Sequence, residues 1–338
     1  MESRKIKSDS NKHHTSSKKY LEFKKKLQKY LNTYQIKKIE KAFSVATRAH
    51  EGQKRQSGEE YIEHPLSAAS ILADFRLDHE TIMAAILHDV IEDTEIEKEN
   101  LKKNFGVKVS DLVDGVRKIN KINFSTNEEA DAANLRKMIL AMSQDIRVIL
   151  IKLADRKHNL ETIDALSPKK RKKIGRETLE IFAPISLRLG IHSLNIELED
   201  LSFKSIYPLR YRILKKAIDE SRGNRKELME KIKKIIEDKL KKEGLDANVI
   251  AREKHVYGIY KKMKQKELKF SHINDLFGVR VILPKVDDCY RAIGIIHNLY
   301  TPVPGRFKDY IAIPKSNGYQ SLHTFILGPH GLPIEFQT

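Results

Sequence analysis

Thiol chemistry is nearly missing from this chain: its 338 residues include one cysteine, Cys289. An intrachain disulfide is therefore impossible, a four-cysteine zinc site is excluded, and a reducing compartment suits the chain. Any metal has to be held by imidazoles and carboxylates. Long apolar runs are missing too: none approaches the roughly 18–20 residues that a membrane helix needs. The charged N-terminus has no apolar segment behind it, so a secretory leader is not expected. Neither G-x-x-x-x-G-K-[ST] nor G-x-G-x-x-G occurs, which disfavours Walker-type and Rossmann phosphate binding. No internal repeat is evident.

Acidic charge is in short supply. Against 64 Lys and Arg stand 46 Asp and Glu, leaving a net charge of +18. Residues 1–41 carry 13 basic and 4 acidic residues, and residues 210–242 carry 13 basic and 6 acidic. Such a balance invites phosphate-bearing partners, nucleotides or RNA. The plainer reading is a lysine-rich chain with solvated helix faces, and for residues 1–19 it is the better one; these are expected to form a disordered basic tail. Hydrophobic residues make up 40% of the chain, enough for cores, and the length suits two domains.

From Tyr20 to Asp200 the pattern is helical. Ile36, Ile39, Phe43 and Ala46 share one face, and His64-Pro65 marks a helix start. A helix opening near Asp78 shows Ile82, Ala85, Ile86 and Asp89 as one stripe, and the nearly continuous apolar run from Val148 to Ala154 predicts a deeply buried helix. Arg176 to Leu201 is helical, with a kink or break at Pro184. Residues 203–243 form charged connecting helices. After Gly244 strands are expected at 279–283, 310–313 and 322–327, with a helix from Asp288 to Tyr300. The expected architecture is multidomain, α and α/β: a disordered tail (1–19), an all-α domain (20–200), a helical connector (201–243) and a smaller α/β domain (244–338).

Asp89 is the anomaly that points to chemistry. A carboxylate on a core-facing stripe is costly unless paired or bound to a cation. His88 stands beside it, with Glu92 and Asp93 one turn on. Asp155 follows the buried run, Asn159 lies a turn later, and His64 stands at a helix start. Helix capping and a buried ion pair are the ordinary explanation. The ordered set of His, His-Asp and Asp in buried helices is more specific than either.

These residues resemble the metal ligands of an HD-type phosphohydrolase. The words Gly52-Gln53-Lys54-Arg55-Gln56-Ser57-Gly58, Tyr61-Ile62-Glu63-His64-Pro65, Leu87-His88-Asp89-Val90-Ile91-Glu92-Asp93-Thr94 and Leu153-Ala154-Asp155-Arg156-Lys157-His158-Asn159 resemble the hydrolase domain of long RelA/SpoT-type alarmone enzymes. The resemblance implies that His64, His88, Asp89 and Asp155 hold one Mn²⁺ and that Glu92 and Asp93 orient the attacking water. It further implies that Arg55 clamps pyrophosphate while Asn159 and Thr162 touch the nucleoside. Imidazole and carboxylate donors suit such an ion. Lys157 departs from the family, where a hydrophobic residue is usual.

A second set lies in the α/β region. Arg252, Lys254, His255, Lys261 and Lys262 gather around Tyr257 and Tyr260. Asp275 precedes a strand with Arg280, and then come Gly305-Arg306-Phe307-Lys308-Asp309-Tyr310, Asn317-Gly318-Tyr319-Gln320-Ser321-Leu322-His323 and Ile334-Glu335-Phe336-Gln337. Singly each is weak: a surface patch, a cap, a solvent-facing strand residue. In this order they resemble the nucleotidyltransferase-like synthetase domain of the same family. The resemblance implies that Asp275 and Glu335 hold Mg²⁺ and that Glu335 assists deprotonation of the acceptor hydroxyl. Arg252 is expected on adenine, and Lys254 and Lys262 on ATP phosphates. Arg280 counts among the substrate-binding residues. Arg306, Lys308 and His323 are expected on acceptor phosphates, with Tyr319 and Asn317 on guanine. Ala251 and Gly258 depart from the usual glycine and serine.

Taken together, the resemblance implies a cytoplasmic enzyme of the stringent response. It removes the 3′-pyrophosphate of (p)ppGpp and transfers pyrophosphate from ATP to the 3′-hydroxyl of GDP or GTP. The second domain is expected to be truncated at its C-terminal edge, and ribosome contact to reside in C-terminal regions that this chain lacks. No membrane or DNA partner is expected. The alternatives are a hydrolase-only fragment with an inactive synthetase domain, an HD phosphohydrolase acting on another nucleotide, and a basic RNA- or ribosome-binding module without turnover.

Overall fold

The computed structural model describes residues 18–120, 144–222, 225–270, 273, 276–315, 318–331 and 333–338. The chain forms two compact units that divide between Ile206 and Tyr207.

The first unit is helical: α1 (Lys18–Leu27), α2 (Thr33–Ala49), α3 (Glu63–Asp74), α4 (His79–Leu87), α5 (Val90–Asp93), α6 (Lys98–Phe105), α7 (Val107–Asn120), α8 (Arg147–Glu161), α9 (Pro168–Glu177), α10 (Ala183–Arg188) and α11 (His192–Ile206). Helix α2 starts on a reciprocal cap: the Asn32 side chain accepts from the Gln35 amide at 2.9 Å and the Gln35 side chain from the Asn32 amide at 3.1 Å. Such caps contribute about 1 kcal/mol. The expected face of α2, with Ile36, Ile39, Phe43 and Ala46, is buried. Helix α8 is buried as its apolar run predicts, and it packs on α3, α4, α7 and α11.

Two expectations need correction. The helix from Asp78 is not striped: every residue from Thr81 to Leu87 is buried. Nor does it run on to Asp93. It stops at Leu87 and resumes as α5 after His88 and Asp89. The His88 ring supplies the reason. Its Nδ1 donates to the Ala85 carbonyl at 2.7 Å, competing for the acceptor that a continuous helix would offer to the Asp89 amide. Near Pro184 the α-helical pattern is interrupted rather than ended. A π-helical turn at Thr178–Phe182, closed by the Ala183 amide on the Thr178 carbonyl, precedes the proline, and the wider turn accommodates a residue without an N–H. The break comes at Gly190, whose φ of +77° ends α10.

The second unit is α/β: α12 (Pro208–Arg222), α13 (Arg225–Lys242), β1 (Asn248–Glu253), α14 (Val256–Lys266), β2 (Phe277–Ile282), α15 (Val286–Leu299), β3 (Lys308–Asp309), β4 (Leu322–Leu327) and β5 (Pro333–Gln337). The five-stranded sheet has the order β1-β2-β5-β4-β3; β2 and β5 are parallel and the other pairs antiparallel. Period-two alternation sorts its faces. Val249, Phe277, Val279, Val281, Leu322, Thr324, Ile326, Ile334 and Phe336 are buried, on the face covered by α13 and α15. The strand expected at 310–313 is a turn instead. The Asp309 carboxylate accepts from the amides of Ile311 and Ala312 at 2.9 and 2.8 Å, which bends the chain off the sheet after Asp309.

Among the described residues no helix is long and apolar enough to cross a membrane.

Candidate functional site

In the first unit three helices meet at one point. His64 comes from the first turn of α3, His88 from the end of α4 and Asp155 from the middle of α8. One ligand atom from each lies within 4.8 Å of the others, and all three residues are buried. His64 Nε2 is 3.1 Å from Asp155 Oδ1 and 3.7 Å from Asp89 Oδ2. His88 Nε2 is 3.2 Å from Asp89 Oδ1 and 3.9 Å from Asp155 Oδ1. His88 Nδ1 donates to the Ala85 carbonyl, and Nε2, on the other side of the ring, has no hydrogen-bond partner among the described residues. A buried acceptor facing carboxylate oxygens is unfavourable until a cation joins them. The donor set of two imidazoles and two carboxylates fits a divalent ion of borderline hardness.

The surroundings hold these groups in place. Lys152 Nζ donates to Asp155 Oδ2 at 2.5 Å and Asn159 Nδ2 to Asp155 Oδ1 at 2.5 Å. Burial pushes the Asp155 carboxyl upward, but the Lys152 ammonium and the neighbouring imidazoles of His64 and His88 together outweigh it and hold the group well below the usual carboxylate range. Burial pushes His64 below its ordinary 6.5 and brings His158 down to about 3. Tyr61 donates to Asp89 Oδ2 at 3.1 Å and Asp93 Oδ2 at 2.5 Å, and burial with these two carboxylates pushes its phenol far above its ordinary 10. The Tyr61 ring stacks on His50 at 4.5 Å.

Arg55, Asn159 and Thr162 come together: the guanidinium donates to Asn159 Oδ1 at 2.5 Å and to Thr162 Oγ1 at 3.1 Å. Glu92 is exposed on α5 beside Asp93. Lys157 turns to Glu197 and Glu161 instead. Sequence reasoning missed Tyr61, Lys152 and His158, and the signal was available. Each stands three residues from a ligand, one helical turn away, and Lys152 interrupts the apolar run before Asp155.

In the second unit the sheet face opposite α13 and α15, left uncovered among the described residues, carries two adjacent rows. One runs Arg252, Gly278, Glu335, Phe325, and the other runs Ile250, Arg280, Gln337, His323, Lys308. A cleft there is lined by Arg252, Lys254, Gly278, Val279, Arg280, Glu335 and Gln337. Glu335 Oε2 lies 3.7 Å from Lys254 Nζ, and Oε1 lies 3.5 Å from His323 Nδ1. His323 Nε2 is 2.9 Å from the Tyr319 hydroxyl. Arg306 is exposed, its guanidinium 5.9 Å from the Phe325 ring centroid, and Lys262 is carried by α14. The strands therefore bring together Arg252, Arg280, Lys308, His323 and Glu335. Asp275 and Asn317 lie outside the described residues.

Residues 42–192 match the HD domain family, and residues 251–338 match the region found in RelA/SpoT proteins. The chain is 55% identical over 311 residues to the bifunctional (p)ppGpp synthase/hydrolase SpoT of Escherichia coli K12, covering 92% of this chain and 44% of that protein. It is 54% identical over 310 residues to the guanosine-3′,5′-bis(diphosphate) 3′-pyrophosphohydrolase of Vibrio cholerae, with the same two coverages. It is 47% identical over 302 residues to a GTP pyrophosphokinase of Myxococcus xanthus, covering 88% of this chain and 40% of that protein. The chain thus spans less than half the length of these curated relatives. An HD-domain unit followed by a mixed-sheet unit, each matched in its own right, leads to one conclusion: the chain belongs to the RelA/SpoT family.

Proposed function

We propose that the first unit hydrolyses the 3′-pyrophosphate of (p)ppGpp, releasing GDP or GTP and pyrophosphate, and that the second transfers pyrophosphate from ATP to the 3′-hydroxyl of GDP or GTP. The observation that carries the first half is the buried, unpartnered Nε2 of His88 facing the carboxylates of Asp89 and Asp155, in a chain so similar to the named hydrolases. His64, His88, Asp89 and Asp155 would hold one Mn²⁺. Such an ion, when bound, supplies charge stabilisation for phosphate oxygens and a lowered water pKa.

The protein's own groups do the rest. Arg55 exchanges its contacts with Asn159 and Thr162 for the pyrophosphate oxygens, and those two side chains turn to the nucleoside. Asp93, held by Tyr61, and Glu92 orient the attacking water and take up its proton. Water adds at the phosphorus bonded to the 3′-oxygen, the bond between them breaks, and the 3′-oxygen leaves with the proton that the carboxylates took from the water. In the second unit Arg252, Lys254, Lys262, Arg280, Arg306 and Lys308 gather nucleotide phosphates, and Tyr319 and Asn317 receive the guanine. Glu335, with Asp275, would hold Mg²⁺, and Glu335 accepts the 3′-hydroxyl proton as that oxygen attacks the ATP β-phosphorus; the bond from the β-phosphorus to the oxygen bridging to the α-phosphorus breaks, and AMP leaves. We place this chemistry in the cytoplasm, as part of the stringent response.

The test is direct. With guanosine tetraphosphate and Mn²⁺ the protein is expected to release pyrophosphate and GDP, and with ATP, GDP and Mg²⁺ to form guanosine tetraphosphate. A folded, Mn²⁺-loaded sample that releases nothing from guanosine tetraphosphate removes the first half. A sample that hydrolyses but never transfers leaves the hydrolase alone.

A further inference from the structure

We propose that His158 is a positioning residue for the metal centre: its Nδ1 lone pair receives the His64 Nδ1 proton and so leaves His64 Nε2 bare toward the ion. The inference rests on the metal reading above and deepens it.

The argument is one of proton counting. His64 Nδ1 and His158 Nδ1 lie 2.8 Å apart, with the rings 4.9 Å apart and tilted by 40°. Two ring nitrogens at that separation share one proton, and the pair alone does not say whose it is. Arg55 decides. Its Nη1 lies 3.3 Å from the same His158 Nδ1, and a guanidinium only donates. Were His158 protonated at Nδ1, its N–H would face the N–H of Arg55. His158 Nδ1 is therefore the unprotonated nitrogen, its one lone pair shared unequally between the nearer His64 Nδ1 at 2.8 Å and the more distant Arg55 Nη1 at 3.3 Å, and the proton between the two rings resides on His64 Nδ1. The other nitrogen of His64 is then a lone pair, 3.1 Å from Asp155 Oδ1 and 3.7 Å from Asp89 Oδ2. The second imidazole reaches the same state by another route, since His88 gives its Nδ1 proton to the Ala85 carbonyl. Metal-binding histidines are generally fixed by what their second nitrogen bonds. Here one is fixed by backbone and the other by a histidine that also touches Arg55, the expected pyrophosphate clamp.

Calorimetric titration of the 338-residue chain with Mn²⁺ tests the idea in wild type, His158→Asn and His158→Leu, each first checked for folding by circular dichroism. The Asn side-chain oxygen can accept where Nδ1 does and Leu cannot. Leu is expected to weaken Mn²⁺ binding about 10- to 100-fold, with Asn recovering most of the loss. Equal affinities in wild type and a folded Leu variant overturn the role of His158, as do Asn and Leu variants that are equally weakened. Proton–nitrogen correlation spectra of histidine-labelled wild type make the test independent of how the variants fold. They are expected to show the His64 proton on Nδ1, and a His64 proton on Nε2 overturns the proposal. Wild type that takes up no Mn²⁺ removes the metal reading itself, with His158 falling as a consequence.

Discussion

The two units arrange similar side chains in opposite ways. In the helical unit, acids and imidazoles are buried, fixed by neighbours one turn away, and close enough to be unfavourable alone. In the sheet unit, acid, imidazole and cations lie on an uncovered face, where Glu335 meets Lys254 and His323 only at 3.7 and 3.5 Å. The first is a cage whose geometry exists before anything enters it. The second is a surface whose charges are spread along two strand rows. Burial strengthens each electrostatic contact and raises the penalty for removing one partner, whereas the part-buried pairs of Glu335, longer than hydrogen bonds, contribute less to stability. The cage should therefore couple function to folding, and the open face should not.

The largest expected effect follows from that contrast. Asp155→Ala removes a ligand and strands Lys152. Pyrophosphate release is expected to fall on the order of 10³-fold, and the unit to lose about 3–5 kcal/mol in urea titration. Transfer from ATP should persist. Retained hydrolysis would undo the cage half of the comparison. Next comes Glu335→Gln, expected to lower transfer about 10²-fold while hydrolysis and the melting temperature stay near wild type. A large drop in melting temperature would show that the open face is structurally coupled after all.

Gly278→Val is a smaller and mixed case. A Cβ at Gly278 would meet the Glu335 carbonyl at 3.1 Å, and a branched side chain would project between Arg252 and Glu335. Binding of an ATP analogue is expected to weaken about tenfold, with overpacking costing about 1–3 kcal/mol. Unchanged binding would mean that the cleft beside Gly278 is not used.

Acid should also separate the units. Burial holds His64 and His158 below their ordinary 6.5, so both are neutral when folded, and the unfolded chain binds more protons below that pH. Their contribution is present above pH 6.5 and drains as the pH falls through the lowered value of each, about 3 for His158. Asp155, held low, adds its loss only below its ordinary 3.8. Melting of the helical unit, followed as a function of pH, should shift downward from about 6.5, with a shallower slope in His158→Asn. The smallest effect belongs to Lys157→Leu. Its partners Glu161 and Glu197 lie at the periphery, so stability should move by less than about 1 kcal/mol.

The cage was legible because buried polar residues break a pattern. Asp89, just past an apolar helix, and Asp155, just past an apolar run, stand out as carboxylates where core residues are expected. What periodicity cannot show is a break made by a side chain. His88 contests a carbonyl of its own helix, so the expected helix ends six residues early. Lys152 went unread because one cation inside an apolar run looks like noise until its partner is known. On the sheet, the strand expected at 322–327 is found, but the one expected at 310–313 is not. There an apolar run follows an Asp whose carboxylate ties down the next amides, and local hydrogen bonding overrides strand propensity.

The all-round burial of α4 has one more consequence. Its last residue hands the chain to His88, and His88 is tethered to the carbonyl of Ala85 in that same helix. Amide protons of α4 should then exchange with solvent only when the whole unit opens. Heat or denaturant would extinguish the centre and melt its housing in a single event, so inactivation and unfolding curves of that unit should coincide.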